Sequence, residues 1–228
     1  MNRSPFAPNR IFAMPVFVPD LSVILAFGLA SFVLAISPGP DMALFVSRTI
    51  NYGRPHGIAA MSGAITGILF HALLAAFGVS LLIIALPTAF LALKIAGALY
   101  LLYLAVQAVR QGGGITLLAK GKRRPRVAES YLTGIGINLT NPKIILFFVT
   151  FLPQFVSSAD PFAPQKLLFL SGEFVIVALP VVISIIFLAD WVAAVLTRSL
   201  RAQKLLNWSF AAVFAGFAAT ILLLEGRR

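Results

Sequence analysis

Apolar residues run along this chain in six long stretches, at roughly 20–47, 57–85, 88–109, 132–156, 166–195 and 206–224, with short polar connections between them. A helix needs about 20 apolar residues to cross a bilayer, and each stretch supplies them. The pattern predicts an all-α integral membrane protein of six transmembrane helices, with no soluble domain between the spans. The chain divides into a disordered N-terminal extension over 1–19, a first three-helix repeat over 20–109, a basic connection over 110–131 and a second three-helix repeat over 132–224. The extension is poor in apolar periodicity and carries Pro5, Pro8, Pro15 and Pro19; Met14 is an alternative start. Leu21 to Ile36 also reads as a signal-peptide core ending in Ala35-Ile36-Ser37, but Pro38 and the return of the apolar pattern at Met42 argue against cleavage.

The first and fourth stretches are interrupted, at Ser37-Pro38-Gly39-Pro40-Asp41 and at Asn138-Leu139-Thr140-Asn141-Pro142-Lys143. Each interruption puts polar groups and a charge where hydrocarbon should be. Such a break is tolerated only where protein or a water-filled cavity surrounds it. Ser37-Pro38 resembles Asn141-Pro142, and Ser62-Gly63 resembles Ser171-Gly172, so the two halves read as repeats. With an odd number of spans in each, the repeats are inverted. Inverted repeats with broken helices place a transport site at their interface, near the middle of the membrane.

Composition sharpens the class. The chain is 60% hydrophobic and only 11% charged. Its net charge of +11 would suit nucleic acid, but the basic residues cluster in short connections, as cytoplasmic loops of membrane proteins do. Nucleic acid is therefore not a partner, and the lipid bilayer is. Arg48 and Arg54 lie in the first connection, Arg110, Lys120, Lys122, Arg123, Arg124 and Arg126 in the third, and Arg198, Arg201 and Lys204 in the fifth. The second connection has no Lys or Arg before Lys94, and the fourth has only Lys166. The loops after helices one, three and five are thus cytoplasmic, with both termini outside and Trp191 and Trp208 at the cytoplasmic interface. A re-entrant first segment would instead put the N-terminus inside. Gly112-Gly113-Gly114 makes the third connection flexible. With no cysteine, disulfides and thiol chemistry are excluded.

The candidate site residues follow from the breaks. Asp41 is a costly carboxylate within a span, suited to a substrate ammonium, a proton or a metal ion, or else to capping a helix near the interface. Ser37 caps a new half-helix with Pro38 at its first position, and Gly39 and Pro40 leave carbonyls without donors. At the second break Asn141 caps, Pro142 opens the helix, and the free amides with Lys143 suit a substrate carboxylate. Lys143 also reads as a side chain snorkelling to the cytoplasmic face. Asn138 and Asn141, one turn apart, line one wall. Gly63, Gly67 and His71 share a face of the second segment; the glycines are packing residues. His71 is either a proton relay or a neutral histidine bonded to a neighbouring helix. Glu173, about 10 Å into the fifth segment, is the proton-coupling candidate on the outer side, whereas Asp190 is structural. The proton-coupling set is Asp41, His71 and Glu173. Phenylalanines spread through the spans read as lipid-facing or packing residues.

These motifs resemble the lysine exporter and homoserine/threonine efflux family (LysE/RhtB). The matching pieces are Ser37 to Asp41, Gly53 with Gly57, Gly63-Ala64-Ile65-Thr66-Gly67 followed by His71, Lys94 to Leu104, and Asn138 to Lys143 running on to Phe151-Leu152-Pro153-Gln154-Phe155. They occur in the family's order over roughly 20–224, with a sixth segment poorer in glycine than is common. The resemblance implies an inner-membrane exporter of amino acids or related small molecules driven by proton exchange. Export direction rests on it alone, and it does not fix the substrate. The alternative from the residues is a metal-ion or other cation exporter using Asp41, His71 and Glu173. An enzyme finds no support, since there is no H-E-x-x-H motif and Ser37 has no base; no catalytic residue, bound metal or cofactor is expected. Without a G-x-x-x-x-G-K-[ST] loop, ATP is not the direct energy source. A passive scaffold would not need the charged breaks. A homo-oligomer is compatible with the pattern but not specified by it.

Overall fold

The computed structural model describes residues 17–79, 87–110, 123–157, 160–198 and 200–225. Most of the N-terminal extension lies outside the described residues, as do Gly112 to Gly114, Lys120 and Lys122. Among the described residues every regular element is a helix, with no strand. The helices are α1 (Leu21–Ile36), α2 (Pro40–Tyr52), α3 (Arg54–Leu73), α4 (Pro87–Arg110), α5 (Val127–Thr140), α6 (Pro142–Leu146), α7 (Ala163–Phe187), α8 (Ala189–Arg198) and α9 (Leu200–Glu225). α3 runs on through π-helical turns to Val79, and α6 through a π-helical stretch and a final 3₁₀ turn to Phe155.

Both expected breaks are present. α1 stops at Ser37, whose N–H bonds back to Val33 and Leu34, and the chain turns by 50° into α2. Here the position of the restart differs from expectation. α2 begins at Pro40 with Gly39 before it, not at Pro38 with Ser37 as the cap, and no side chain caps it. Pro40 fixes its own φ for a first helical position, so the second proline sets the restart. At the other break Asn141 caps as expected: its Oδ1 accepts the Lys143 N–H at 3.0 Å, and the chain turns by 53°. Gly53, with φ +95°, separates α2 from α3 in a conformation that residues with a Cβ rarely adopt.

Among the described residues, two helices are long and apolar enough to cross a membrane, Arg54–Gly78 and Ala163–Phe187, and up to four spans result if each bent pair counts as one. α4 and α9 add helices of 24 and 26 residues that pack on each other. On α1, Leu21, Leu25, Leu29 and Phe32 form an exposed apolar stripe at helical spacing. The opposite face carries Phe27 into a cluster with Phe147, Phe151 and Phe155, ring centroids 5.2–6.4 Å apart. These phenylalanines form core, and Trp191 and Trp208 are exposed.

α3 and α5 share the largest helix–helix interface, and small residues allow it. A Cβ on Gly63 would run into the Tyr131 carbonyl, and one on Gly134 into the Ala60 carbonyl. At one end of this pair the basic connections meet. Arg124 donates to the Tyr52 carbonyl at 3.1 Å, and Arg54 to the Phe187 carbonyl at 3.4 Å. The first and third connections and the end of α7 therefore lie together. Elsewhere, Asp160 accepts from Lys166 at 2.5 Å and from the Phe162 N–H at 2.9 Å, ordering the start of α7. The Lys166 hydrogen bond holds the Asp160 carboxyl below the usual carboxylate range.

Candidate functional site

The two breaks face each other, and their side chains interlock. Asp41, on the first turn of α2, accepts from both Asn138 and Asn141 on a single oxygen. Each Nδ2 stands 3.0 Å from Asp41 Oδ2. Asn138 closes the last turn of α5 and Asn141 is the following cap, so the spacing that puts both on one wall puts both on one carboxylate. A carboxylate only accepts, so these bonds fix which way each amide points.

Lys143 crosses in the other direction. Its Nζ donates to the Ser37 carbonyl at 2.9 Å and the Leu34 carbonyl at 3.4 Å. Those carbonyls end α1 and carry the negative end of its dipole, about half an elementary charge. Lys143 thus points into the break of the other half, not toward the basic connection as snorkelling would require. Among the described residues no ion pair joins Lys143 to Asp41. Ser37 meets Lys143 through its carbonyl, and Ser37 also lines the adjoining cavity.

Two glycines make room for this arrangement. A Cβ on Gly39 would lie 2.9 Å from Lys143 Nζ, and one on Gly67 would lie 2.6 Å from Asn138 Oδ1. Gly67, expected as a packing residue, is therefore also a positioning residue for Asn138. His71, one turn further along α3, brings Nε2 to 3.4 Å from the Asn138 carbonyl and its ring to 5.9 Å from that of Phe148.

A cavity of about 630 Å³, counting its open mouth, lies against the interlock. Its polar lining is Ser37, Asp41, Asn138 and Lys143; the rest is apolar, from α1, α2, α3, α6 and α7. Pro38, Gly39, Pro40 and Pro142 shape the two breaks without lining it. Two buried polar atoms at the interlock have no partner, Asp41 Oδ1 and Asn138 Oδ1. Both are acceptors.

Glu173 stands apart from this group. Its Oε1 would lie 2.8 Å from a Cβ on Gly28 of α1, and its Oε2 is buried without a partner. Its neighbours Phe174 and Val175 line the cavity, and Glu173 does not. No three His, Asp or Glu residues among those described come together as a metal-binding group, so Asp41, His71 and Glu173 are not brought into one ligand set. Sequence reasoning did not anticipate Gly28 opposite Glu173. It also did not anticipate the buried His56 Nδ1 to Ser130 Oγ contact of 3.0 Å between α3 and α5. That Gly28 is the single glycine of α1 was the available signal for it.

Comparison with known proteins places the chain in a family. The profile of the LysE type translocator family matches residues 32–225, which includes both breaks. The chain is 34% identical to the homoserine/homoserine lactone efflux protein of Salmonella typhimurium over 191 residues, 83% of this chain and 90% of that one. It is 30% identical to the leucine efflux protein of an Enterobacter species over 203 residues, 86% of this chain and 92% of that one. An uncharacterised membrane protein of Vibrio cholerae is 32% identical over 148 residues, 65% of this chain and 72% of that one. No solved structure matches.

Proposed function

Because this chain belongs to the LysE type translocator family, we propose that it is a secondary active exporter of amino acids or closely related small molecules. It is a multi-pass membrane transporter. The names of its relatives, homoserine/homoserine lactone efflux protein and leucine efflux protein, support the substrate class. One observation carries the site: the two breaks interlock through Asp41, Asn138 and Asn141 at the edge of a cavity. The substrate ammonium lies at Asp41 and the carboxyl end faces Asn141 and Lys143. Asp41 holds a proton when the cavity is empty and an ammonium when it is loaded, so the two compete for one oxygen. That competition makes the cycle a proton antiport. Glu173 is a second proton-accepting carboxylate, and His71 lies between α3 and the interlock.

The architecture is two inverted three-helix repeats, α1/α2, α3 and α4 against α5/α6, α7 and α9. The bonds joining the first connection to the third and to the end of α7 support this, since inverted repeats put the odd connections on one side. Their arginines make that side the cytoplasm in the bacterial inner membrane. Rocking of one repeat against the other around the interlock gives alternating access.

Dipeptide-fed cells overexpressing the protein test the proposal. Amino acids released into the medium are followed over time, beside cells making equal amounts of the Asp41→Asn variant. One group of amino acids should leave faster, and the variant should remove the gain. Unchanged efflux of every amino acid, with the protein present in the membrane, would reject it.

A further inference from the structure

Away from the cavity, positive charge collects at the corner where α3 begins and α7 ends. Arg124 donates to the Tyr52 carbonyl, and Arg54, two residues further along, to the Phe187 carbonyl. The Arg54 guanidinium also lies over the Phe187 ring, 4.7 Å from its centroid. Arg48 meets the Thr133 hydroxyl at 3.3 Å and stands over the Tyr52 ring at 5.6 Å. A carbonyl, a hydroxyl or a ring accepts from a guanidinium but brings no full negative charge. Among the described residues the ion pairs are Arg123 with Glu129 and Lys166 with Asp160, so Arg54 and Arg124 keep their charges uncompensated. Both are exposed, and each bond uses one of five N–H donors. The free edges of such planar groups match the oxygens of a phosphate.

An apolar strip runs down from these arginines. Ile58 lies one turn beyond Arg54 on α3, and Ile183 one turn before Phe187 on α7; all three apolar side chains are exposed. The two helices touch at this level, since a Cβ on Gly57 would lie 3.4 Å from Ile186 Cγ2. They are also the two helices apolar enough to cross a bilayer without a partner helix. The strip therefore faces acyl chains, and the arginines at the helix ends stand at headgroup depth. A free anion would use the arginines alone, whereas a phospholipid uses the arginines and the strip together.

We propose that this corner binds one anionic phospholipid, with its phosphate on Arg54 and Arg124 and an acyl chain along Ile58, Ile183 and Phe187. Anionic headgroups are drawn to arginines at a membrane surface, and the two guanidiniums turn that general attraction into a seat. The bound lipid adds to the Arg54 bond that joins α3 to the end of α7. The site stands whatever the cavity carries.

Thermal unfolding of the purified protein in detergent micelles tests this, with phosphatidylglycerol or phosphatidylcholine of the same acyl chains titrated in. Phosphatidylglycerol should raise the unfolding temperature at a mole fraction about tenfold lower, the lower end of what a hydrogen bond between charged groups supplies. Arg54→Gln combined with Arg124→Gln should remove that difference. Arg201→Gln combined with Lys204→Gln, an equal loss of charge at exposed positions on α9, should keep it. Equal response of the parent to both lipids would overturn the proposal. So would equal loss in the two double variants, which would mean diffuse attraction without a seat. Inorganic phosphate that matched phosphatidylglycerol in phosphatidylcholine-doped micelles would overturn it as well, since the apolar strip would then play no part. Native mass spectrometry of the parent protein decides the matter even where the arginine variants do not fold. From an equal mixture of the two lipids one phosphatidylglycerol should be retained, and retention without preference would reject the site.

Discussion

Asp41 depends on atoms it does not touch. Its Oδ2 is held by Asn138 and Asn141, and Asn138 keeps its place because Gly67 has no side chain. A Cβ at position 67 would lie 2.6 Å from Asn138 Oδ1 and 3.0 Å from Asn138 Cβ. The asparagine would have to swing away, and its bond to Asp41 would go. A hydrogen bond to a charged group contributes about 1.5–3 kcal/mol, so Gly67→Ala should slow efflux by about 10–100-fold. The measurement is efflux per molecule of protein in the membrane. Efflux equal to the parent's would show that Asn138 does not position the carboxylate. Gly39→Ala should displace Lys143 with a smaller loss, since the atom its Cβ would meet at 2.9 Å is Nζ, the end of a flexible side chain. The identities of these residues were legible in the sequence, because charge and amide at a proline break are costly unless used. Their partners were not. Nothing in local spacing says that both asparagines choose one oxygen of Asp41, or that Lys143 reaches back to Ser37 and Leu34. Those choices depend on how closely α3 and α5 approach.

That approach is a property of the helix pair. Gly63 meets the Tyr131 carbonyl and Gly134 meets the Ala60 carbonyl, each contact being to backbone that cannot rotate away. Overpacking of this kind costs about 1–3 kcal/mol. Gly134→Ala should therefore lower the thermal unfolding temperature of the purified protein. Gly136→Ala is the control on the same helix, since its Cβ would meet nothing within 4 Å and alanine is the better helix former. It should leave the unfolding temperature unchanged or raise it. Equal loss from both variants would contradict the close α3–α5 packing. The helix ends themselves were largely legible: Pro38, Pro40 and Pro142 mark both breaks, and Asn141 reads as the cap it is. The restart of α2 was misplaced by two residues because two prolines compete for the first helical position. The π-helical turns over 147–151 carry no breaker residue and those over 74–79 only Gly78 near their end, so no local signal announces where either begins.

At the scale of the molecule the cavity is one-sided. Phe45 lies three residues before Arg48, and Val182 and Ile185 lie just before Phe187, whose carbonyl Arg54 holds; all three line the cavity. It therefore extends from the interlock toward the arginine-bearing end. On the other side of the break, Phe27, Phe147, Phe151 and Phe155 pack ring against ring and fill the space. On the orientation proposed above, with the arginines cytoplasmic, such a conformation would be open toward the cytoplasm and closed outward by phenylalanine. Alternating access then requires that cluster to part while the surfaces around Val182 come together. The chain has no cysteine, so single cysteines report without background. Val182→Cys should react with a membrane-impermeant maleimide in inside-out vesicles and be spared in right-side-out cells, whereas Phe151→Cys should be spared in both at rest. A transported amino acid should slow labelling at Val182→Cys and begin to expose Phe151→Cys to the outside, because loading permits the other conformation. Labelling of Val182→Cys from the outside alone would invert the orientation. Labelling at both positions, indifferent to substrate, would mean that the two repeats do not rock about the Asp41 interlock.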